Sequence, residues 1–411
     1  MTSPGARTCD AIVIGAGIIG AACAYTLSRA GLSVTVVERG PVATGTSSAC
    51  SGFCAVSTKK PGLMMELAKA SKAMYVDLGA EWARRIELYR AGGLILIESD
   101  AEAQHVRQLV KTVQSAGEDL RLLDAQEAHA LEPGLSPRVS GAAFGPNEFS
   151  VNPYLATFAF LEAARERGAV VVTGEEVAAL LRSGDAVAGV RTPRCTFLAP
   201  TVVIACGVWS PQVGALAGVR IPIVPRRGEV VVTEKAPLPV RIPLLSAQYL
   251  VAKANPADAE TSADPLVRMG YGFLMEVLPS GQLLIGSTRT FSGYERATTD
   301  FGVRTIVREA VKRVPAAAEL NMVRGYAGLR PYVPDKLPIV GPVSAAPGLY
   351  VASGHEGDGI TLAPITAALI AEQVTGQRPS FDITALTPDR FASETASNQR
   401  DVGILGEDAP M

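Results

Sequence analysis

Residues 9–20 read Cys-Asp-Ala-Ile-Val-Ile-Gly-Ala-Gly-Ile-Ile-Gly, and residues 33–38 read Ser-Val-Thr-Val-Val-Glu. The first stretch predicts a buried strand at Ala11–Ile14 and a glycine turn, and the Ala-rich run of residues 21–30 predicts an apolar helix. A second buried strand follows at Val34–Val37. Strand, helix and strand together predict a βαβ unit, which places the chain in the α/β class.

Three glycines mark the predicted turn, at Gly15, Gly17 and Gly20. In dinucleotide-binding proteins the first glycine permits the turn, the second lets backbone approach a pyrophosphate, and the third lets the helix pack on the strand. Glu38 stands about twenty residues on, where its carboxylate can accept hydrogen bonds from a ribose. The pattern predicts a dinucleotide site, and the alternative is a tightly packed turn that binds nothing.

The segment after Glu38 bears on which dinucleotide binds. Residues 39–54 are mostly small and include many hydroxyl groups. Such a segment can wrap an extended pyrophosphate and reach a flavin ring, whereas nicotinamide enzymes usually continue into an ordinary helix. The segment therefore favours FAD over a nicotinamide cofactor.

Further candidates for cofactor contact lie where later strands end in small residues. The predicted strand at 198–204 runs into Ala-Cys-Gly-Val-Trp, which brings backbone close to a ligand at the carboxyl edge of the sheet. A second glycine loop at 353–360 opens an apolar helix, whose first turn can hold negative charge. Besides the three glycines and Glu38, the candidate cofactor residues are Ile18, Ile19, Arg39, Thr46, Ser47, Ser48, Val177, Ala205, Gly207, Trp209, Arg330, Gly354, His355, Gly357, Asp358, Gly359, Ile360 and Thr361.

Length and composition exclude several classes of function. The chain has 411 residues, of which 48% are hydrophobic, and a formal net charge of −2. This length predicts two domains, the small charge gives no general attraction to nucleic acid, and no stretch has the apolar length of a membrane span. No signal peptide is recognisable, so we expect a cytoplasmic protein. The six cysteines form no Cys-x-x-Cys pair and the three histidines are scattered, which argues against a metal site within the chain.

The periodicity of apolar residues indicates that the chain leaves the nucleotide-binding unit and returns to it twice. The predicted fold is α/β, with a discontinuous Rossmann-like FAD-binding domain and a second domain built on an antiparallel sheet. We assign residues 1–57, 151–225 and 325–391 to the FAD-binding domain, residues 58–150 and 226–324 to the substrate-binding domain, and residues 392–411 to a C-terminal tail.

Five motifs accompany the glycine fingerprint and extend over nearly the whole chain. They are Ala205-x-Gly207-x-Trp209, Arg226-Arg-Gly-Glu, Gly328-Leu-Arg330-Pro331, Asp335-x-x-Pro338-x-x-Gly341, and Gly354-His355 before Gly359-Ile360. Together they resemble the FAD-dependent oxidoreductases of the D-amino-acid oxidase (DAO) type. Within that family the chain is similar to the flavin subunits of glycine oxidase, hydrogen cyanide synthase, opine oxidase and D-hydroxyproline dehydrogenase. The run at 354–360, Gly-His-Glu-Gly-Asp-Gly-Ile, resembles chains that work beside a small iron–sulfur subunit.

The resemblance implies that Arg330 binds the substrate carboxylate, because the family places its carboxylate-binding arginine in the Gly-Leu-Arg-Pro motif. A guanidinium can hold a carboxylate through two parallel charge-assisted hydrogen bonds, and the alternative role is a structural salt bridge. Tyr249, Tyr271 and Tyr326 are candidates for a second substrate contact, and the alternative for each is plain packing.

Two positions depart from the family pattern. Glycine oxidase has an arginine two residues after the loop histidine, where this chain has Gly357. Monomeric sarcosine oxidase activates oxygen with a lysine where this chain has Leu284, which favours a dehydrogenase here. No cysteine stands near Arg330 for a covalent flavin bond, so the FAD is expected to be non-covalent.

These patterns predict FAD-dependent oxidation of a small amino or imino acid of the glycine, sarcosine, D-amino-acid or D-hydroxyproline type. The expected reaction is hydride transfer from the α-carbon to flavin N5, in a dehydrogenase complex with an iron–sulfur or second flavoprotein subunit. The alternatives are an oxygen-using oxidase acting alone, a flavin-binding scaffold without activity, and a nicotinamide-dependent dehydrogenase.

Overall fold

The computed structural model describes residues 6–237, 240–248 and 263–392. Its strands are β1 Arg7–Thr8, β2 Ala11–Ile14, β3 Val34–Glu38, β4 Phe53–Cys54, β5 Gly93–Ile97, β6 Arg121–Asp124, β7 Gly141–Gly145, β8 Phe149–Ser150, β9 Val170–Thr173, β10 Ala179–Ser183, β11 Ala186–Arg191, β12 Thr196–Leu198, β13 Thr201–Ile204, β14 Val224–Lys235, β15 Leu244–Ser246, β16 Leu274–Val277, β17 Gln282–Gly286, β18 Met322–Tyr332, β19 Ile339–Pro342 and β20 Leu349–Ser353. Its helices are α1 Ile18–Arg29, α2 Leu63–Asp77, α3 Gly79–Arg85, α4 Asp100–Ser115, α5 Ala125–Leu131, α6 Pro153–Arg165, α7 Ser210–Ala215, α8 Pro265–Arg268, α9 Asp300–Arg313 and α10 Gly359–Val374.

A six-stranded sheet carries the predicted βαβ unit. Its strand order is β19, β20, β13, β2, β3, β9, and all neighbours are parallel except the antiparallel pair β19–β20. Both faces are covered, which is why β2 is buried at every position and its sequence shows no alternation of apolar and polar residues. The predicted α/β class and Rossmann-like sheet are therefore confirmed.

The two faces of this sheet meet different layers. Val13, Val36 and Val203 pack with the apolar residues of α1, α6 and α10. Their neighbours in sequence, Ile12 and Val202 among them, face the opposite way and pack against a four-stranded sheet ordered β1, β12, β11, β10. The period of two along each strand thus produces two separate apolar cores.

A second large sheet has the order β18, β14, β17, β16, β15, β5, β7, β6, and its neighbours are antiparallel except for β15 and β5. One face packs on α9, where Phe273, Met275 and Ile285 meet Ile306. The other face carries Val230 and Leu274 and looks into a cavity. The predicted antiparallel sheet is present, and strands from two distant parts of the chain build it.

Two predictions fall on parts of the chain outside the described residues. They are the candidate substrate contact at Tyr249 and, apart from residue 392, the tail at 392–411. Among the residues that are described, no helix is long and apolar enough to cross a membrane, and no group of three or more His, Cys, Asp or Glu residues could hold a metal ion.

Candidate functional site

The carboxyl ends of β2, β3, β13 and β20 meet at one edge of the six-stranded sheet. A cavity of about 700 Å³ opens there and continues under the inner face of the eight-stranded sheet. Its volume lies within the range of about 300–1,000 Å³ that is usual for ligand sites. Open parallel sheets bind ligands at this edge, so the topology alone makes the cavity the candidate site.

The glycine turn is shaped by contacts that no side chain could replace. Gly15 has φ +105°, and a Cβ added to it would lie 2.6 Å from the carbonyl oxygen of Ala205. A Cβ on Gly20 would lie 2.0 Å from the carbonyl oxygen of Gly15, so the third glycine allows α1 to pack against the turn as the spacing predicts. Gly17 is the N-cap of α1 and lines the cavity, which leaves the first turn of the helix accessible to phosphate.

Two polar side chains hold this helix end in place. The Ile18 N–H donates to Ser47 Oγ over 2.9 Å. The Glu38 carboxylate accepts from the Ala16 N–H at 2.8 Å and from the Gly40 N–H at 2.9 Å. Each carboxylate oxygen has a further lone pair, so Glu38 can also accept from ribose hydroxyls.

The structure brings most of the candidate cofactor residues to the cavity. Those that line it are Gly15, Gly17, Ile18, Ile19, Glu38, Arg39, Thr46, Ser47, Val177, Ala205, Gly207, Trp209, Arg330, His355, Gly357, Gly359 and Ile360. Near its outer end the Arg39 guanidinium lies 4.3 Å from the centre of the Trp209 ring.

Five candidates do not line the cavity, and local contacts explain each one. Gly20 acts through the packing of α1, and Gly354 turns with φ +78° where a Cβ would lie 2.6 Å from the Val333 side chain. The Ser48 hydroxyl donates to the Gly45 carbonyl at 3.4 Å. The Asp358 carboxylate pairs with Lys59 Nζ at 2.9 Å, and the buried Thr361 hydroxyl hydrogen-bonds to Cys54. These contacts place the five residues outside the lining of the cavity, and their contact with the cofactor stays a prediction.

His355 lines the cavity as an uncharged side chain. Its Nε2 lies 2.9 Å from Thr366 Oγ1, and the residue is only 4% exposed. Burial lowers the pKa of His355 to about 4, although the nearby Asp358 carboxylate opposes the shift. His355 therefore shapes this wall of the cavity without adding positive charge at neutral pH.

The roof of the cavity is built from paired glycines on β14 and β18. Gly228 and Gly328 stand opposite each other in the antiparallel ladder. A Cβ on Gly228 would lie 2.1 Å from Arg330 Nη1, and one on Gly328 would lie 2.5 Å from the carbonyl oxygen of Ala49. Because neither glycine has a side chain, the Arg330 guanidinium can lie against Gly228 and the backbone of Ala49 can lie against Gly328.

Arg330 lies across Gly228 with its guanidinium at the cavity. Its Nη1 donates to the Thr288 carbonyl at 3.0 Å and its Nη2 donates to Ser287 Oγ at 2.8 Å. These two bonds fix the plane of the guanidinium, which has five N–H donors in all. A fixed guanidinium at the wall of a cavity can hold a carboxylate in one orientation.

Of the three candidate tyrosines, the structure describes Tyr271 and Tyr326, and neither lines the cavity. Tyr271 is 1% exposed and packs in the core on the far face of the eight-stranded sheet, beside Arg313 and Glu309. Tyr271 thus lies on the side of the sheet that faces α9, away from the cavity, and its contact with the substrate stays a prediction. Tyr326 is half-buried against Arg324, and burial raises the pKa of its phenol to about 12, but it is not among the lining residues.

Several residues at the roof lacked any signal in the sequence. Leu274, Ser287 and Arg289 line the cavity, and the direction in which each side chain points depends on tertiary packing. Glu356 also lines the cavity, within the glycine loop that the sequence marks. Glu276 stands behind them, fully buried, and accepts from Ser51 Oγ at 2.7 Å. Burial raises the pKa of Glu276, while the hydrogen bonds from Ser51 and the Gly52 N–H oppose that shift.

The residues present fit a dinucleotide that carries a flavin. The glycine cradle and the open first turn of α1 suit a pyrophosphate, Glu38 suits a ribose, and the small residues of 43–51 extend the cavity toward a roof that bears Arg330. A doubly covered parallel sheet with an antiparallel sheet over its carboxyl edge defines a flavin-dependent oxidoreductase.

The chain belongs to the FAD dependent oxidoreductase (DAO) family, whose family model matches residues 10–373. It is 30% identical to the hydrogen cyanide synthase subunit HcnC of Pseudomonas aeruginosa, over 95% of this chain and 98% of that protein. It is also 30% identical to the glycine oxidase of Pseudomonas aeruginosa, over 92% of this chain and 98% of that protein. The crystal structure of glycine oxidase from Geobacillus kaustophilus superposes with a TM-score of 0.84 at 27% identity, covering 93% of this chain and 99% of that chain.

These findings confirm the predicted family, cofactor and class of reaction. The protein is an FAD-dependent amino-acid oxidoreductase that acts on CH–NH2 or CH–NH donors. The alternative of a nicotinamide-dependent dehydrogenase is set aside.

Proposed function

We propose that this protein oxidises a small α-amino or imino acid whose carboxylate is held by Arg330. The observation that carries the proposal is the placement of Arg330, whose guanidinium is fixed by Ser287 and Thr288 at the wall of the cavity. A substrate held there by two parallel hydrogen bonds has its α-carbon fixed relative to the cofactor space, and simple amines lack the group that Arg330 recognises.

The cofactor would be held by the fingerprint turn, by Glu38 and Arg39, by the 43–51 segment, by Ala205–Trp209 and by the 355–360 loop. When bound, FAD supplies the acceptor for the hydride that leaves the substrate α-carbon. The residues of this chain position and desolvate the substrate, whose nitrogen enters without a proton so that its lone pair can assist. Arg330 keeps its charge throughout, since a guanidinium does not lose its proton in proteins.

We further propose that the chain works as the flavin subunit of a dehydrogenase complex. Support comes from its likeness to a protein that is itself named a subunit, HcnC, and from the buried Leu284 at the position of the oxygen-activating lysine. The likeness to glycine oxidase supports the second candidate, an oxidase that acts alone and passes electrons to oxygen. A third candidate is a flavin-binding scaffold subunit without activity.

The two-domain division remains part of the proposal. In it, residues 1–57, 151–225 and 325–391 bind FAD, and residues 58–150 and 226–324 bind substrate. The division assigns α2 to the substrate-binding domain, yet this helix contacts the FAD-binding domain. Its Tyr75 hydroxyl donates to the Ile360 carbonyl at 2.7 Å, so the first boundary would need to move.

The deciding experiment is an anaerobic reduction screen of the purified flavoprotein. Glycine, sarcosine, D-amino acids, D-hydroxyproline and opines would be mixed with the enzyme without oxygen, and flavin bleaching would be followed by absorbance. Bleaching by at least one of them is expected, and none by any amino or imino acid would favour the scaffold. Reoxidation by air at a rate that matches turnover would favour the oxidase, whereas slow reoxidation with fast turnover on an artificial acceptor would favour the dehydrogenase.

A further inference from the structure

Helix α10 begins at the cavity and contains a proline, Pro364, inside its length. Proline has no N–H group, so the Ile360 carbonyl, four residues earlier, loses its partner within the helix, and the proline ring also crowds that carbonyl. Ile360 is buried, and a buried carbonyl without a donor destabilises a protein. The helix therefore needs a hydrogen-bond donor from another element at this point.

Helix α2 supplies partners on both sides of the proline. The Tyr75 hydroxyl donates to the Ile360 carbonyl over 2.7 Å. One turn earlier on α2, Ser71 Oγ accepts from the Ile365 N–H over 3.3 Å. Residues four apart lie on the same face of a helix, so α2 presents both hydroxyl groups to α10.

The Tyr75 side chain is fixed by its surroundings. It is 1% exposed, and the centre of its ring lies 5.6 Å from that of the Phe149 ring and 6.4 Å from that of the Phe160 ring. Burial raises the pKa of the Tyr75 phenol, so the hydroxyl keeps the proton that it donates. The hydrogen bond to the Ile360 carbonyl is therefore held in one geometry.

The first turn of α10 borders the cavity beside Arg330. Gly357, Gly359 and Ile360 line the cavity, and a Cβ on Gly357 would lie 3.9 Å from Arg330 Cδ. A substrate held by Arg330 has its α-carbon at this end of the cavity, so the ring that accepts the hydride belongs here as well. The first N–H groups of a helix have no acceptor within the helix and carry partial positive charge.

Oxidation of the substrate brings negative charge to this place. When the C–H bond of the α-carbon breaks, the hydrogen and both bonding electrons pass to the flavin ring, the substrate becomes an imine cation, and the ring gains one negative charge. Negative charge is stabilised at the N-terminus of a helix within about one turn, so the position of that turn sets the size of the effect.

Two side chains hold this turn from outside α10. Lys59 pairs with the Asp358 side chain at the start of the helix, over 2.9 Å. Tyr75 bonds instead to the backbone of the turn, at the carbonyl that Pro364 leaves without a helical partner. The backbone position of the turn is therefore set from α2.

We propose that Tyr75 is a positioning residue for the reaction: its hydroxyl replaces the N–H group that Pro364 lacks and holds the first turn of α10 at the flavin, which favours reduction of the ring. This inference rests on the proposed function, because it needs the reacting ring beside Arg330. Ser71 stabilises the part of α10 that follows the proline and leaves the ring unaffected. A Tyr75 that only packed would contribute to stability and to nothing else.

The test is the reduction potential of the bound flavin, measured by anaerobic reduction beside a dye of known potential. In Tyr75→Phe the equilibrium constant for two-electron reduction should fall about threefold to tenfold, because part of the stabilisation by the helix end is lost. This corresponds to a potential lower by about 15–30 mV, at about 30 mV per tenfold change. Flavin content is measured first, and an unchanged potential in the fully loaded variant would overturn the inference.

Two control variants separate positioning from packing. Tyr25→Phe makes the same change in a buried tyrosine whose ring centre lies 5.6 Å from that of the same Phe160 ring and which does not line the cavity. Ser71→Ala removes the second hydroxyl of α2 and should lower Tm, because the Ile365 N–H loses its acceptor. Both controls should keep the wild-type potential, and a fall in either one equal to that in Tyr75→Phe would contradict the role of Tyr75.

A double variant tests the link to the proline. Pro364→Ala restores an N–H group that can bond to the Ile360 carbonyl within the helix, so in this background the carbonyl has a donor without Tyr75. Most of the shift caused by Tyr75→Phe should then disappear, and the same shift in both backgrounds would overturn the inference.

The measurement also separates this inference from the proposed function, because it needs no amino acid. A lowered potential in Tyr75→Phe, together with no bleaching of the wild type by any amino or imino acid, would overturn the proposed function alone. Bleaching of the wild type together with an unchanged potential in Tyr75→Phe would overturn this inference alone.

Discussion

Replacement of Arg330 by methionine tests the proposed function most directly. Methionine keeps a similar length and apolar stem but removes the guanidinium, which in this structure donates to the Thr288 carbonyl at 3.0 Å and to Ser287 Oγ at 2.8 Å. The loss should appear in substrate binding, because FAD would retain its glycine cradle and Glu38.

The magnitude follows from the hydrogen bonds to the substrate. Each hydrogen bond to a charged group contributes about 1.5–3 kcal/mol, and Arg330 is half-buried, so two of them near the lower limit give about 3–4 kcal/mol. At about 1.36 kcal/mol per tenfold change, kcat/KM should fall by roughly 10²- to 10³-fold. Arg330→Lys keeps the charge without the planar fork and should recover about tenfold of this loss.

The assay is anaerobic stopped-flow reduction of the flavin with the substrate found in the screen. Flavin content is measured first, so that a loss of cofactor is not mistaken for a loss of substrate binding. Arg324→Met is the matched control, since Arg324 lies on the same strand and is exposed. A fall of less than about fivefold in Arg330→Met, or an equal fall in Arg324→Met, would refute the reasoning.

Three further outcomes follow from the described contacts. Gly20→Ala should lower flavin content and Tm, because its Cβ would lie 2.0 Å from a carbonyl oxygen, and normal flavin content would show that α1 can shift. Tyr271→Phe should leave kcat/KM within about twofold, since the side chain lies on the far face of the sheet, and a tenfold loss would return Tyr271 to the site. Burial lowers the pKa of His355 to about 4, whereas an exposed histidine titrates near 6.5. As the pH falls from about 6.5 toward 4, the unfolded chain binds a proton that the folded chain does not, so the free energy of unfolding should decrease. Thermal unfolding between pH 7 and 4.5 should show this loss, and His355→Gln should show less of it.

The βαβ unit could be predicted because its signals are local. Gly15 and Gly20 are required by close contacts within the turn and with the end of β13 beside it. Glu38, at the end of β3, belongs to the same short stretch, because β2, α1 and β3 follow one another directly in the sequence. Motif spacing was therefore sufficient to find the cofactor side of the cavity.

The roof could not be predicted in the same way. Tyr271 and Leu274 are three residues apart, yet one packs toward α9 and the other lines the cavity. A strand's alternation shows that it has two faces but does not reveal which face meets which layer. The sequence could not show for this reason that Tyr271 packs toward α9, and it missed Arg289 for the same reason.

The sequence by itself determined the cofactor fingerprint, the α/β class and the arginine in the Gly-Leu-Arg-Pro motif, because each is written in residues that are neighbours along the chain. Only the tertiary structure brought Arg226, Arg289, Arg330 and Glu356 together. Their clustering depends on the register between β14 and β18 and on a loop from the other end of the chain. Those relations are set by which apolar faces pack together, and no spacing within one segment encodes them.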